Sequence, residues 1–296
     1  LLLLPIRRSL AWGAVGAAVL LSAAYRPATP HQLLRSSSMS GKFSDDMVYL
    51  GVGRSSTVRV GQMPLFYILT NNGLPEALIA PRGAPTLGME LHQWLTSLPL
   101  IARPNAESIC VIGFGSGGAI EILPDSVREV DVIELEPLVI EANRRCAELR
   151  RSDPLADERV NIVLNDARGA LSLTDKRYDI IVSQPSHPWT AGASHLYTRE
   201  FLEQVRDHLS EDGVLLQWMS ASFVDEELFR TLGSTLLSVF PNVRLYQPKP
   251  NVMFFLASAG DLDLERRLLQ TGEPLRSHPD AYGLMGITGI SSLAAA

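Results

Sequence analysis

From Glu107 onward the chain alternates short apolar runs with stretches of helical periodicity, and this alternation confines it to an α/β fold around a mostly parallel sheet. The runs fall at Ser108–Gly113, Val130–Leu135, Val160–Leu164, Tyr178–Ser183 and Gly213–Met219. Each is nearly continuous in apolar residues, as strands are when helices cover both faces of a sheet. Helices are predicted between most of them, as at Pro137–Arg151 and Thr198–Leu209. After a further helix over Glu226–Phe240 come two strands, Val243–Gln247 and Val252–Ala257. Only Pro248-Lys249-Pro250-Asn251 separates them, a short turn-like link that predicts an antiparallel hairpin at the sheet edge.

Upstream the pattern changes. Val48-Tyr49-Leu50, Thr57–Val60 and Leu65–Leu69 are short and rich in β-branched or aromatic residues, and Gly51, Gly53, Gly61 and Asn71-Asn72-Gly73 separate them. This predicts a small antiparallel sheet. A loop over Pro81–Pro85 and a helix over Leu87–Leu98 follow. The expected division is a hydrophobic segment over 1–25, a linker over 26–46, a small β domain over 47–80, a nucleotide-binding catalytic domain over 81–260, and a tail over 261–296 to which no role is assigned. A mostly parallel sheet closed by an antiparallel hairpin is the layout of Rossmann-like domains of the S-adenosylmethionine-methyltransferase type.

The chain opens on Leu rather than Met and reads as a fragment. Leu10–Tyr25 carries no charge and follows Arg7 and Arg8. Three readings compete: a transmembrane span, a signal-peptide core, and a buried helix. The first is the expectation here, with the catalytic domain on the cytoplasmic side of the membrane.

The net charge of −6 comes without a basic stripe, which argues against a nucleic-acid partner. Cys110 and Cys146 have no Cys or His neighbours at zinc-ligand spacing, so reduced thiols and no metal are expected.

Four strand tips carry the candidate chemistry. Gly113-Phe114-Gly115-Ser116-Gly117-Gly118 follows the first parallel strand, where glycines let the backbone turn tightly against a nucleotide. Glu134 ends the next strand, 21 residues after Gly113, placed to accept ribose hydroxyls. At the third tip, in Asn165-Asp166-Ala167-Arg168, Asp166 is placed either to take the exocyclic amine of adenine or to cap the following helix. The fourth tip reads Ser183-Gln184-Pro185-Ser186-His187-Pro188-Trp189. His187 is its one group that exchanges a proton near neutral pH. His92, on the helix before the first parallel strand, is either a ligand contact or a surface residue.

Taken in order, these motifs resemble the spermidine synthase (polyamine aminopropyltransferase) family, in particular its bacterial membrane-fused branch, over roughly residues 52–258. Leu91-His92-Gln93 before Leu98-Pro99-Leu100 is similar to the family's Tyr-His-Glu and Leu-Pro-Leu segments. Gly113–Gly118, Ile133-Glu134-Leu135-Glu136, Tyr178–Val182 and Leu196-Tyr197-Thr198-Arg199-Glu200-Phe201 match further segments. The resemblance implies decarboxylated S-adenosylmethionine as cofactor and a polyamine-type amine as acceptor. It also implies His92, Gly113, Gly115, Ser116, Gly117, Glu134, Asp166 and Ala167 as the cofactor site, and a homodimer. Three positions depart from the family: Ser116 replaces an Asp, and Gln184 and His187 stand where the family has its catalytic and second Asp. A glutamine accepts hydrogen bonds but takes no proton. The expected roles are therefore His187 as general base and Gln184 as orienter of the nucleophile. Two other functions stay open at this point: a methyltransferase using intact S-adenosylmethionine, and a non-catalytic nucleotide- or polyamine-binding module.

Overall fold

The computed structural model describes residues 3–25, 46–83, 90–121, 123–186, 188, 192–221, 224–249, 251–262 and 264. Its centre is a seven-stranded sheet made of β5 (Ser108–Ile112), β6 (Glu129–Glu134), β7 (Val160–Leu164), β8 (Tyr178–Ser183), β9 (Leu209–Ser220), β10 (Asn242–Lys249) and β11 (Val252–Ser258). The order across the sheet is β10-β11-β9-β8-β5-β6-β7. Pairings among β5 to β9 are parallel. β11 runs antiparallel to β9 and to β10, so the closing hairpin has the direction the short proline-containing link predicts.

Alternate residues of these strands point into two cores. Val111, Val132, Val182 and Leu216 enter one; Cys110, Ile133, Ile181 and Leu215 enter the other. The second is roofed by the helices Ala167–Ser172, Arg199–Asp207 and Glu226–Val239, through residues such as Leu171, Phe201 and Leu236. The first is roofed by the helices Glu90–Ala102 and Pro137–Arg145 and by a four-stranded antiparallel sheet. That small sheet runs in chain order β1 (Met47–Val52), β2 (Thr57–Gln62), β3 (Tyr67–Asn71) and β4 (Leu74–Ile79). Val58, Val60, Leu69 and Ile79 from it share a core with the large sheet. β4 is a strand beyond the three that the hydropathy pattern indicated. Asn72 (φ 50°) and Gly73 (φ 82°) form the tight turn that brings it back along β3, and both positive values suit a two-residue hairpin.

The N-terminal expectation requires correction. Leu3–Ala24 does form a helix of 22 residues. Among the described residues, however, no helix is long and apolar enough to cross a membrane. Arg7 and Arg8 interrupt the apolar run, and the uncharged part that follows them in the helix spans only about 23 Å, against roughly 30 Å of bilayer core. Residues 10–25 are exposed, which also removes the buried-helix reading. Membrane association is not supported. The expected linker over 26–46 and the expected tail over 261–296 lie almost entirely outside the described residues.

Candidate active site

The strand order reverses at β5, whose neighbours are β6 on one side and β8 on the other. In open α/β sheets the crevice beyond the carboxyl ends of the strands at such a point is the ligand site. A cavity of about 460 Å³ lies there, within the range of small-molecule pockets. The small sheet forms its opposite wall through residues including Ser55, Leu69 and Glu76.

The Gly-rich turn forms its floor. Gly113 has φ 89°, and a Cβ built on it would sit 3.0 Å from the Gln184 carbonyl oxygen. A side chain here would thus push apart the tips of β5 and β8. At Gly118 a Cβ would lie 2.7 Å from the Cβ of His92, so this glycine lets the turn pack against the helix Glu90–Ala102. Two side chains brace the turn from behind. Asn143 Nδ2 donates to the Gly115 carbonyl (2.8 Å), and Arg150 donates to the Ser116 carbonyl (2.7 Å) and to Asn143 Oδ1 (2.9 Å). With its carbonyls fixed, the turn leaves the Ser116 hydroxyl on the cavity wall, buried and, among the described residues, without a hydrogen-bond partner. A buried unpaired hydroxyl is costly unless a ligand satisfies it, and this orphan fits a bound polar nucleoside derivative.

Glu134, at the tip of β6, is buried and lines the cavity. Its Oε2 accepts from the Phe114 amide and its Oε1 from the Glu136 amide, both at 2.8 Å. Burial raises its pKa while these backbone donors pull it down. Each carboxylate oxygen has two acceptor sites, so capacity remains for sugar hydroxyls. Glu136, past the end of β6, also lines the cavity, but its carboxylate is engaged at the cavity's edge. It caps the helix Pro137–Arg145 through Leu138 N and accepts from the hydroxyls of Ser55 (2.6 Å) and Ser56 (3.1 Å), fastening the small sheet to the large one. Burial opposes ionisation of Glu136, but these donors hold its pKa below the usual value.

At the tip of β7, Asp166 caps the helix Ala167–Ser172, its Oδ1 accepting from Arg168 N (3.0 Å) and Gly169 N (3.1 Å). Asp166 and Ala167 both line the cavity. The two readings of Asp166 are therefore compatible, since capping engages only one oxygen. This separates two variants. Asp166→Asn keeps a good cap and should leave thermal stability nearly unchanged while weakening nucleoside binding. Asp166→Ala should lose about 1 kcal/mol as well. Melting curves beside calorimetric titration with methylthioadenosine would distinguish the two roles.

At the tip of β8, Gln184 Nε2 donates to the Gly113 carbonyl (2.7 Å). That acceptor fixes the amide orientation and leaves Oε1 as the group able to receive an N–H. His187 and Trp189 lie outside the described residues. Of the other sequence candidates, His92, Gly113, Gly115, Ser116, Glu134, Asp166, Ala167 and Gln184 line one cavity. Gly117 is not part of its wall; with φ 73° it sits at the N-cap of the short 3-10 turn Gly118–Ile120.

One cavity residue was not anticipated. Glu76, on β4, accepts from Ser186 Oγ at 2.9 Å. Its carboxyl is pushed up to about 7, chiefly by burial and further by Glu134, against the pull of the Ser186 hydrogen bond. Four carboxylates (Glu76, Glu134, Glu136 and Asp166) thus line the cavity, and among its described lining residues there is no Lys or Arg. Among the described residues no group of three or more His, Cys, Asp or Glu is arranged to hold a metal ion.

Fold and site together define a Rossmann-like α/β protein of the S-adenosylmethionine-methyltransferase type, with an acid-lined cavity roofed by a small β sheet. The spermine/spermidine synthase domain matches residues 89–249, more than half of the chain, and the chain belongs to that family. It is 31% identical to the polyamine aminopropyltransferase of Caldicellulosiruptor saccharolyticus over 157 residues, which is 52% of this chain and 56% of that protein. The corresponding protein of Thermotoga maritima is also 31% identical over 157 residues, 52% of this chain and 53% of its own length. The matched region therefore spans about half the length of these curated relatives. Two solved structures share the fold at 22% identity, each covering 83% of this chain and 89% of its own. One is a spermidine synthase in complex with the transition state analogue AdoDATO (TM-score 0.66), the other the spermidine synthase of Thermotoga maritima (TM-score 0.63).

Proposed function

We propose that the chain is an aminopropyltransferase that binds decarboxylated S-adenosylmethionine and alkylates an amine of the polyamine class. The observation that carries this reading is the charge of the cavity: four carboxylates and, among the described lining residues, no Lys or Arg. Such a wall attracts a sulfonium and a polyammonium acceptor and repels a ligand carboxylate. Family membership and the named activity of the relatives support the same transfer, as does the analogue carried by the structural neighbour.

In this reading Glu134 receives the ribose hydroxyls and the uncommitted oxygen of Asp166 receives the adenine amine. His92 and the Ser116 hydroxyl contact the remainder of the nucleoside. The bound sulfonium supplies the electrophilic carbon and a neutral thioether leaving group. The residues have only to orient the amine and manage its proton. Gln184 Oε1 accepts an N–H of the nucleophile and aligns it, while its amide stays on the Gly113 carbonyl.

Titration calorimetry with decarboxylated S-adenosylmethionine and its carboxylated parent tests the reading, together with turnover on putrescine. The decarboxylated form should bind at least ~5-fold tighter, because one like-charge contact costs on the order of 1 kcal/mol or more near a partly buried wall. Methylthioadenosine and an aminopropylated amine should appear as products. Preference for the carboxylated form with methyl transfer would replace the proposal with a methyltransferase, and binding without any product would replace it with a binding module.

A further inference from the structure

We propose that Glu76 is a catalytic residue of this site: its carboxylate receives the ammonium group of the acceptor and takes the proton that must leave before nitrogen can attack. The inference rests on the aminopropyl-transfer reading and adds to it the base that Gln184 cannot be.

The placement is specific. Glu76 sits on β4, in the roof of the cavity, and reaches Ser186, two residues beyond Gln184 on the segment leaving β8. It thus spans from the small sheet to the tip where the nucleophile is oriented. Ser186 is itself held: its backbone carbonyl lies 3.3 Å from the buried Tyr197 hydroxyl, which is also 3.3 Å from the Trp218 carbonyl. The Ser186 hydroxyl engages Oε1 of Glu76, and among the described residues no hydrogen bond reaches Oε2. Among the described residues, the charged and titratable groups around it are Glu134 from the tip of β6, Tyr197, and His92 from the helix Glu90–Ala102. Burial raises the Tyr197 phenol, so it stays neutral. No lysine or arginine among the described lining residues competes for the carboxylate. An incoming ammonium is the natural partner of such a group.

The step balances. R–NH3+ and the Glu76 carboxylate become R–NH2 and the Glu76 carboxylic acid; the N–H bonding pair stays on nitrogen as the attacking lone pair. An alkylammonium holds its proton to about pH 10, and an ordinary glutamate releases its own near pH 4, a mismatch of about six units. With the Glu76 carboxyl near 7, that mismatch falls to about three, and burial of the ammonium lowers it further. A base matched to the operating pH is the effective one.

The test uses Glu76→Gln, which preserves shape and an acceptor for Ser186, and Ser186→Ala, which removes the donor. In Glu76→Gln, kcat/KM for putrescine should fall at least ~100-fold and the rise of the pH profile near 7 should vanish. In Ser186→Ala the rise should move up by about one pH unit, because a hydrogen bond to the charged form is lost. A purely structural contact would not move it. Independently of turnover, the 13C carboxyl signal assigned by its absence in Glu76→Gln should titrate near pH 7, with its midpoint lowered by putrescine. Retention of more than half of kcat/KM with an unaltered profile in Glu76→Gln would overturn the proposal, as would a Glu76 signal that putrescine leaves unmoved. Lack of turnover in the parent protein, with the Glu76 midpoint still lowered, would instead reject the transfer reading and reduce Glu76 to an ammonium anchor.

Discussion

Gly113→Ala should lower the free energy of unfolding by about 2–3 kcal/mol and remove measurable nucleoside binding. Gly113 has φ 89°, a conformation that costs an L residue on the order of 1–2 kcal/mol. The new methyl would also lie 3.0 Å from the Gln184 carbonyl oxygen, a backbone atom that cannot rotate away. Separating the two strand tips strains the Gln184 N to Ile112 O and Gln184 Nε2 to Gly113 O hydrogen bonds, and overpacking of this kind costs about 1–3 kcal/mol. Restriction of the unfolded chain by alanine returns only about 0.4–1 kcal/mol. Gly83→Ala is the matched control. It has φ 73° but, among the described residues, nothing within 4 Å of its Cβ, so it should show the conformational cost alone and leave binding intact. Urea unfolding and methylthioadenosine titration of both variants check this. Equal losses at the two positions would show that the contact with Gln184 has no energetic weight.

The parts of the molecule legible in the sequence are those encoded locally. β5, β6 and β8 are largely buried on both faces and so appear as apolar runs, β7 keeps an apolar run although it lies half-buried at the sheet edge, and Glu134 could be located because a strand tip and a Gly-rich turn sit at a fixed separation. The start of β9 was missed. It extends back to Leu209 through Glu211, Asp212 and Gly213, residues that locally favour a turn: Leu209 pairs with Tyr178 of β8, and after a register shift the pairing resumes at Val214. β4 was missed because Pro75 breaks its strand pattern, although Asn72-Gly73 is a hairpin signal that implied a returning strand. With it went Glu76, whose role depends on a partner 110 residues away. The Asn143 and Arg150 braces are likewise tertiary: nothing adjacent to them in the chain marks them as supports of the glycine turn. Hydropathy misled at the N-terminus, since a run of Ala, Gly and Leu scores as apolar without reaching the length a span requires.

Stability should fall as the pH is raised from about 5.5 to 8, and Glu76→Gln should abolish most of that fall. The Glu76 carboxyl is raised from 4.5 to about 7 in the folded protein. Between these values the folded state holds a proton that the unfolded state has released, so unfolding becomes easier as pH rises. The favourable contribution is complete below about 4.5 and lost once the pH passes through 7. From pH 5.5 upward the part still to be lost amounts to about 2 kcal/mol. Glu136 acts with the opposite sign in a lower window. Its depressed pKa gives stability that is present above the usual carboxylate range and lost only as acid protonates it, so the two effects do not overlap. Urea unfolding at pH 5.5 and 8 in both proteins isolates the term, because histidines and other groups titrating in this interval contribute equally to each and cancel in the difference. Parallel pH dependences in the two proteins would place the Glu76 proton in bulk solvent at pH 7, and the roof of the cavity would then lack the basic carboxylate that sets its chemistry.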